Sequence, residues 1–195
     1  MDRLLKKASN EDKIAEDRNM RNKFMIYMVG RSGSGKTTIA RALEKELRKE
    51  EKIHLQVIDG DIIRQQFGDS FGYTYEERMK CNRAVRVVVQ YLLDNDISVI
   101  LTQVGAYEEM RAKVRGQFAE DYIEIYVECS YEECARRDVK GYYRKLNNGM
   151  QNLNGADDIY EIPQNSNIVI NTESETVTEA VHKIISYLRQ WGYGV

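Results

Sequence analysis

Eight residues, Gly30-Arg31-Ser32-Gly33-Ser34-Gly35-Lys36-Thr37, carry the spacing G-x-x-x-x-G-K-[ST] and come directly after the apolar run Phe24-Met25-Ile26-Tyr27-Met28-Val29. A buried strand that breaks into glycines and restarts as a helix leaves few folds open. The backbone N–H groups of such a loop converge on an anion, and the helix behind it adds the positive end of its dipole. In that setting Gly30, Ser32, Gly33, Ser34 and Gly35 form a cradle for phosphates, with Thr38 close behind. Lys36 reaches the β- and γ-phosphates, and the Thr37 hydroxyl is the expected ligand of a bridging Mg2+. A nucleoside triphosphate is the expected ligand.

The rest of the chain alternates strand and helix patterns. Thr37 to Lys49 reads as a helix with Ile39, Ala40, Leu43 and Leu47 on one face. His54 to Ile58 is a second strand, followed by the turn Asp59-Gly60-Asp61 and a short helix to about Phe67. A long helix runs from Glu76 to Asn95, a strand from Ile97 to Leu101, a helix from Tyr107 to Phe118 and a strand from Tyr122 to Val127. Asn167 to Ile170 and Val177 to Trp191 close the pattern as strand and helix. This predicts an α/β fold of three layers, a mainly parallel sheet with helices on both faces, whose ligands gather at the carboxyl ends of the strands. Residues 24–195 make one domain, and residues 1–23 a charged helix or arm in which Leu4, Leu5 and Ile14 are too sparse for an apolar stripe.

Residues 136–164 break the alternation. They are rich in Arg, Lys, Asn, Gly and Tyr, contain Pro163, the only proline, and read as an irregular basic lid. A lid over phosphates excludes water from a transferable phosphoryl group.

With 31 acidic residues against 29 basic ones, no global field points to nucleic acid or an anionic membrane. No apolar stretch approaches the roughly 18 residues of a membrane span, and no signal-peptide pattern opens the chain, so a soluble, cytoplasmic protein is expected. Cys81, Cys129 and Cys134 form no C-x-x-C pair and read as reduced, packing thiols.

A second cluster falls at the end of the second strand. Asp59 and Asp61 flank Gly60, with Arg64 one helical turn on, so carboxylates and a guanidinium share the sheet edge with the phosphate loop. Either carboxylate there suits ordering of Mg2+-bound water or acceptance of a hydroxyl proton, and Arg64 suits an anionic acceptor. The plain alternative is a helix N-cap made by one Asp and a surface ion pair made by Arg64. Arg78, Arg83, Arg86, Arg111 and Arg115 sit on helical patterns, where charges are usually solvated.

These residues resemble the adenylylsulfate (APS) kinase family over about Phe24 to Leu188. The likeness rests on the phosphate loop together with Asp59-Gly60-Asp61 and Arg64, Phe71-Gly72-Tyr73-Thr74 with Glu77-Arg78, Arg137-Asp138-Val139-Lys140-Gly141-Tyr142-Tyr143, and Gly155-Ala156-Asp157-Asp158-Ile159-Tyr160-Glu161-Ile162-Pro163. The resemblance implies a P-loop NTPase fold, ATP and Mg2+ as cofactors, and transfer of the γ-phosphoryl group to the 3′-hydroxyl of adenosine 5′-phosphosulfate. It implies Lys36 and Asp61 as catalytic residues and Arg137 on the ATP side. On the acceptor side it implies Asp59, Arg64, Tyr73, Arg78 and Lys140, and leaves a homodimer open.

Departures fall on the acceptor side. The family's Ile-Ser-Pro-Tyr stands here as Val104-Gly105-Ala106-Tyr107, an Asn as Cys81, and a lid Phe as Leu153. Losing one of two rings that sandwich a base weakens stacking by about 1–3 kcal/mol. A relative acting on another nucleotide, such as cytidine diphosphoramidate, therefore stays open as an alternative acceptor reading. So does a nucleotide hydrolase or switch without acceptor, although no N-K-x-D string marks a guanine reader.

Overall fold

The computed structural model describes residues 21, 23–49, 53–147 and 160–195. Five strands, β1 (Met25–Val29), β2 (Leu55–Asp59), β3 (Ser98–Thr102), β4 (Tyr122–Glu128) and β5 (Ile168–Asn171), form one sheet in the order β2-β3-β1-β4-β5, with every pair parallel. Helices α1 (Lys36–Leu47), α2 (Gly60–Gln66), α3 (Tyr75–Leu93), α4 (Glu108–Phe118), α5 (Tyr131–Arg137), α6 (Tyr142–Asn147) and α7 (Val177–Gln190) complete it.

The central strand explains the layering. All five residues of β1 are buried. Because side chains alternate along a strand, Ile26 and Met28 pack with α1 and α7 on one face, whereas Met25, Tyr27 and Val29 pack with α3 and α4 on the other. On α1 the stripe Ile39, Leu43 and Leu47 meets Val181, Ile184 and Leu188 of α7 in a single cluster. Burying each such side chain contributes about 1.5–3 kcal/mol. The residues after α7 tie back to the segment just before β1: the Arg21 backbone N–H donates to the Gly192 carbonyl at 2.9 Å, and its guanidinium donates to the Tyr193 hydroxyl at 3.2 Å.

Three helix entries are closed by hydroxyl side chains. Thr74 and Thr176 each form a capping box with Glu77 and Glu179, and Ser130 accepts from the Glu133 N–H. Entry to α1 differs. Its first residue comes after Gly35, in the left-handed region at φ 101°, and no side chain caps it. The N–H groups at that helix start are left for a ligand.

The segment read as irregular from residue 136 begins inside α5 and includes α6. Both helices are short and rest on local polar bonds: Ser130 caps the first, and Asp138 accepts from the N–H groups of Tyr143 and Arg144 at the start of the second. Neither signal has an apolar period. The expected arm, apart from Arg21 and Lys23, and the part of the expected lid that contains Leu153 lie outside the described residues. Cys81, Cys129 and Cys134 are buried free thiols. Among the described residues, no helix is long and apolar enough to cross a membrane.

Candidate active site

The phosphate loop leaves β1 where its neighbours β3 and β4 lead to opposite sides of the sheet, at the crevice where such sheets bind ligands. Gly30 is obligatory here: a Cβ on it would lie 2.4 Å from the Val127 carbonyl oxygen. Lys36 is only 9 % exposed and folds back over the loop, its Nζ donating to the carbonyls of Gly30 at 2.8 Å and Arg31 at 2.7 Å. Burial pulls its ammonium down to about 8, partly offset by the Asp61 carboxylate. The loop is held from the far side as well. Tyr143 of α6 donates its hydroxyl to the Ser32 carbonyl at 3.0 Å, and the Thr172 hydroxyl donates to the Ser34 carbonyl at 3.0 Å. Arg137 donates to Thr172 through both terminal nitrogens, at 3.1 and 3.0 Å, which brings it to the loop's flank.

Asp59 and Asp61, equivalent in the sequence, divide their work in the structure. Asp59 is the N-cap of α2: its Oδ1 accepts from the Asp61 N–H at 2.9 Å, and its Oδ2 from the Thr37 hydroxyl at 2.9 Å. Asp61 pairs with Lys140, which lies on the turn between α5 and α6. The N-cap alternative thus describes Asp59, while among the described residues Arg64 makes no ion pair. Arg64 instead donates to the carbonyls of Phe71 and Gly72 and lies 4.8 Å above the Tyr73 ring.

Three cavities share Asp61. One, of about 100 Å3, is lined by Ser32, Gly33, Gly35, Lys36, Thr37 and Thr38 together with Asp59, Gln103 and Lys140. A second is lined by Asp61, Arg64, Arg78, Gln103, Val104, Gly105 and Met110. The third, of about 890 Å3, adds Tyr73, Tyr142 and Lys145. Arg78 is 3 % exposed and donates to the Tyr73 carbonyl at 2.6 Å.

Not every expected residue joins this cleft. Cys81 is 1 % exposed and lines none of these three cavities: it shares the four-residue spacing of Val85 and Val89, the stripe that α3 turns toward the sheet. Arg111 is not solvated either. It is 1 % exposed and donates to the Gly105 carbonyl at 2.6 Å, so it shapes the backbone behind the cleft. The basic character of the segment after β4 is largely balanced locally, with Arg136 and Arg137 on Glu133 and Arg144 on Asp138. Sequence reasoning missed Gln103 and Thr172, and named Tyr143 only within the 137–143 motif, without its bond to the loop. Gln103 was open to discovery, since it directly follows an apolar strand on the edge where ligands collect.

A glycine cradle at an uncapped helix, a buried lysine laid across it, and an adjoining cleft with paired arginines and a carboxylate define a P-loop kinase that moves a phosphoryl group to a small acceptor. Residues 22–171 match the family described as adenylylsulphate kinase, and the chain belongs to that family. The adenylyl-sulfate kinase of Halothermothrix orenii is 39 % identical over 177 residues, covering 89 % of this chain and 95 % of its own. That of Clostridium kluyveri is 37 % identical over 179 residues, covering 88 % and 89 %. The Mycobacterium tuberculosis APS kinase CysC, solved in complex with AMPPNP and APS, superposes with a TM-score of 0.78 at 26 % identity, covering 86 % of this chain and 98 % of its own.

Proposed function

We propose that this protein transfers the γ-phosphoryl group of ATP to the ribose 3′-hydroxyl of adenosine 5′-phosphosulfate. The observation that carries the reading is the position of Asp61, whose acidic side chain alone is common to the loop cavity, the Arg64–Arg78 cleft and the larger cavity beyond it. Asp59 lines two of the three and is committed to capping. Residues 136–164 act as the lid.

The residues present fit Mg2+. Thr37 and Asp59 supply two hard oxygens 2.9 Å apart at the loop, and among the described residues no cluster of three His, Cys, Asp or Glu forms an all-protein cage. That suits a cation held by one or two side chains, phosphates and water. Held by Thr37 and Asp59, Mg2+ would neutralise part of the charge on the phosphates. Lys36, now on the Gly30 and Arg31 carbonyls, moves its ammonium to the phosphates. Arg64 and Arg78 hold the acceptor's anionic end. Asp61 orients the attacking hydroxyl and takes its proton, while Lys140 steadies the carboxylate. Closing the lid removes water that would otherwise compete as acceptor.

ATP turnover measured against APS, cytidine diphosphate derivatives and simple sugars tests the reading. ADP release stimulated by APS above all others is expected. Equal stimulation by a cytidine nucleotide would move the acceptor assignment, and release that ignores every acceptor would point to a hydrolase.

The buried lysine adds a pH signature. In the free protein its proton is half lost at about 8, and phosphate oxygens restore the charged form. Above that pH the bound state holds more protons than the free one, so ATP affinity falls as pH rises, by up to about tenfold per unit. Calorimetry in buffers of different ionisation heat should find proton uptake approaching one per ATP near pH 9. Uptake of none would place the Lys36 titration elsewhere.

A further inference from the structure

Gln103 lies at the carboxyl end of β3 and lines both the loop cavity and the Arg64–Arg78 cleft. Which end of its carboxamide faces the substrate is decided by donor chemistry several residues away. A guanidinium can only donate. Arg86 Nε donates to Asn82 Oδ1 at 3.2 Å, which fixes the Asn82 amide with its oxygen toward Arg86. Asn82, only 1 % exposed, then points its Nδ2 the other way and donates to Gln103 Oε1 at 3.1 Å. The buried Tyr27 hydroxyl donates to the same oxygen at 3.1 Å, and burial raises this phenol well above its usual range, so it keeps its proton. Both lone pairs of Gln103 Oε1 are therefore taken. Its Nε2 is left toward Gly60, where a Cβ would fall 3.0 Å away, and makes no hydrogen bond among the described residues.

We propose that Gln103 is a specificity residue of the acceptor site, its Nε2 donating to an oxygen of the ribose–phosphate part of the bound nucleotide. Asn82, Arg86 and Tyr27 are positioning residues that set which end of the amide faces the cleft. The proposal rests on the acceptor-nucleotide reading above and adds a polar contact from the end of β3 to the cleft that Arg64 and Arg78 line. A side chain serving only to satisfy Tyr27 and Asn82 would need no accessible Nε2 at the junction of two cavities.

Two variants separate these roles in steady-state assays with APS and ATP varied independently. Gln103→Met removes the donor while keeping the length of the chain. Asn82→Asp never touches the cleft, yet its carboxylate still accepts from Arg86 and has no N–H for Gln103, whose amide then turns to donate inward and presents oxygen to the substrate. Both are expected to raise the KM for APS about tenfold, the worth of one hydrogen bond, with the KM for ATP unchanged. An unchanged APS KM in a folded Asn82→Asp enzyme overturns the proposal, as does an equal rise in both constants. If Asn82→Asp does not fold, the Gln103→Met result decides alone: an unchanged APS KM overturns the proposal. A wild-type enzyme inert toward APS removes the acceptor reading and this inference together, and shows itself before any substitution is made.

Discussion

Lys36→Ala is expected to abolish phosphoryl transfer for practical purposes, lowering kcat by about 10²–10³-fold or more even at saturating ATP. A loss of that size is the cost of removing one preorganised cationic donor from a site that works by positioning and charge stabilisation. Lys36 also spans the loop in the free protein, bonded to the Gly30 and Arg31 carbonyls, so alanine leaves two inward carbonyls without that donor. Weakened ATP binding should accompany the loss of rate. Coupled measurement of ADP release with the acceptor saturating checks it, and a rate within tenfold of wild type would show that another group carries the charge.

The second large effect is at Asp61. Asp61→Asn keeps size and shape but removes the carboxylate, and kcat should fall by about 10²–10⁴-fold, the usual contribution of a positioned base. The neighbouring Asp59→Asn should act differently, through the Thr37 contact, and appear chiefly as weaker use of Mg2+ and ATP. A reversed pattern, with Asp61→Asn nearly active and the Asp59 variant dead at saturating Mg·ATP, would reassign the base.

The framework was readable because apolar periodicity reports burial. The strand ending at Val29 follows from an unbroken apolar run, those ending near Asp59 and near Thr102 from apolar runs interrupted at Gln56 and Ser98, and the helix after Gly35 from its four-residue stripe. The phosphate loop was equally plain, since its glycines and lysine are contiguous. What escaped depends on partners far apart in sequence. Gln103 takes its orientation from residues 21 and 76 positions away. Asp59 and Asp61 have equal standing in the string and separate only when one is spent on capping α2. Arg111 counts as polar by composition, yet the carbonyl it serves lies inside the fold. The helices after β4 begin on side-chain caps rather than on an apolar stripe, so a search for periodicity passes over them.

Gly105 has φ +59°, and a Cβ there would fall 2.6 Å from Val29 Cγ1. The family serine at this position therefore cannot simply be restored: it would strain the backbone by about 1–3 kcal/mol and press on the strand that feeds the phosphate loop. Differences from the relatives at this edge are consequently epistatic. Transplanting the acceptor specificity of a relative into this chain therefore means moving the whole 104–107 backbone along with the Val29 contact.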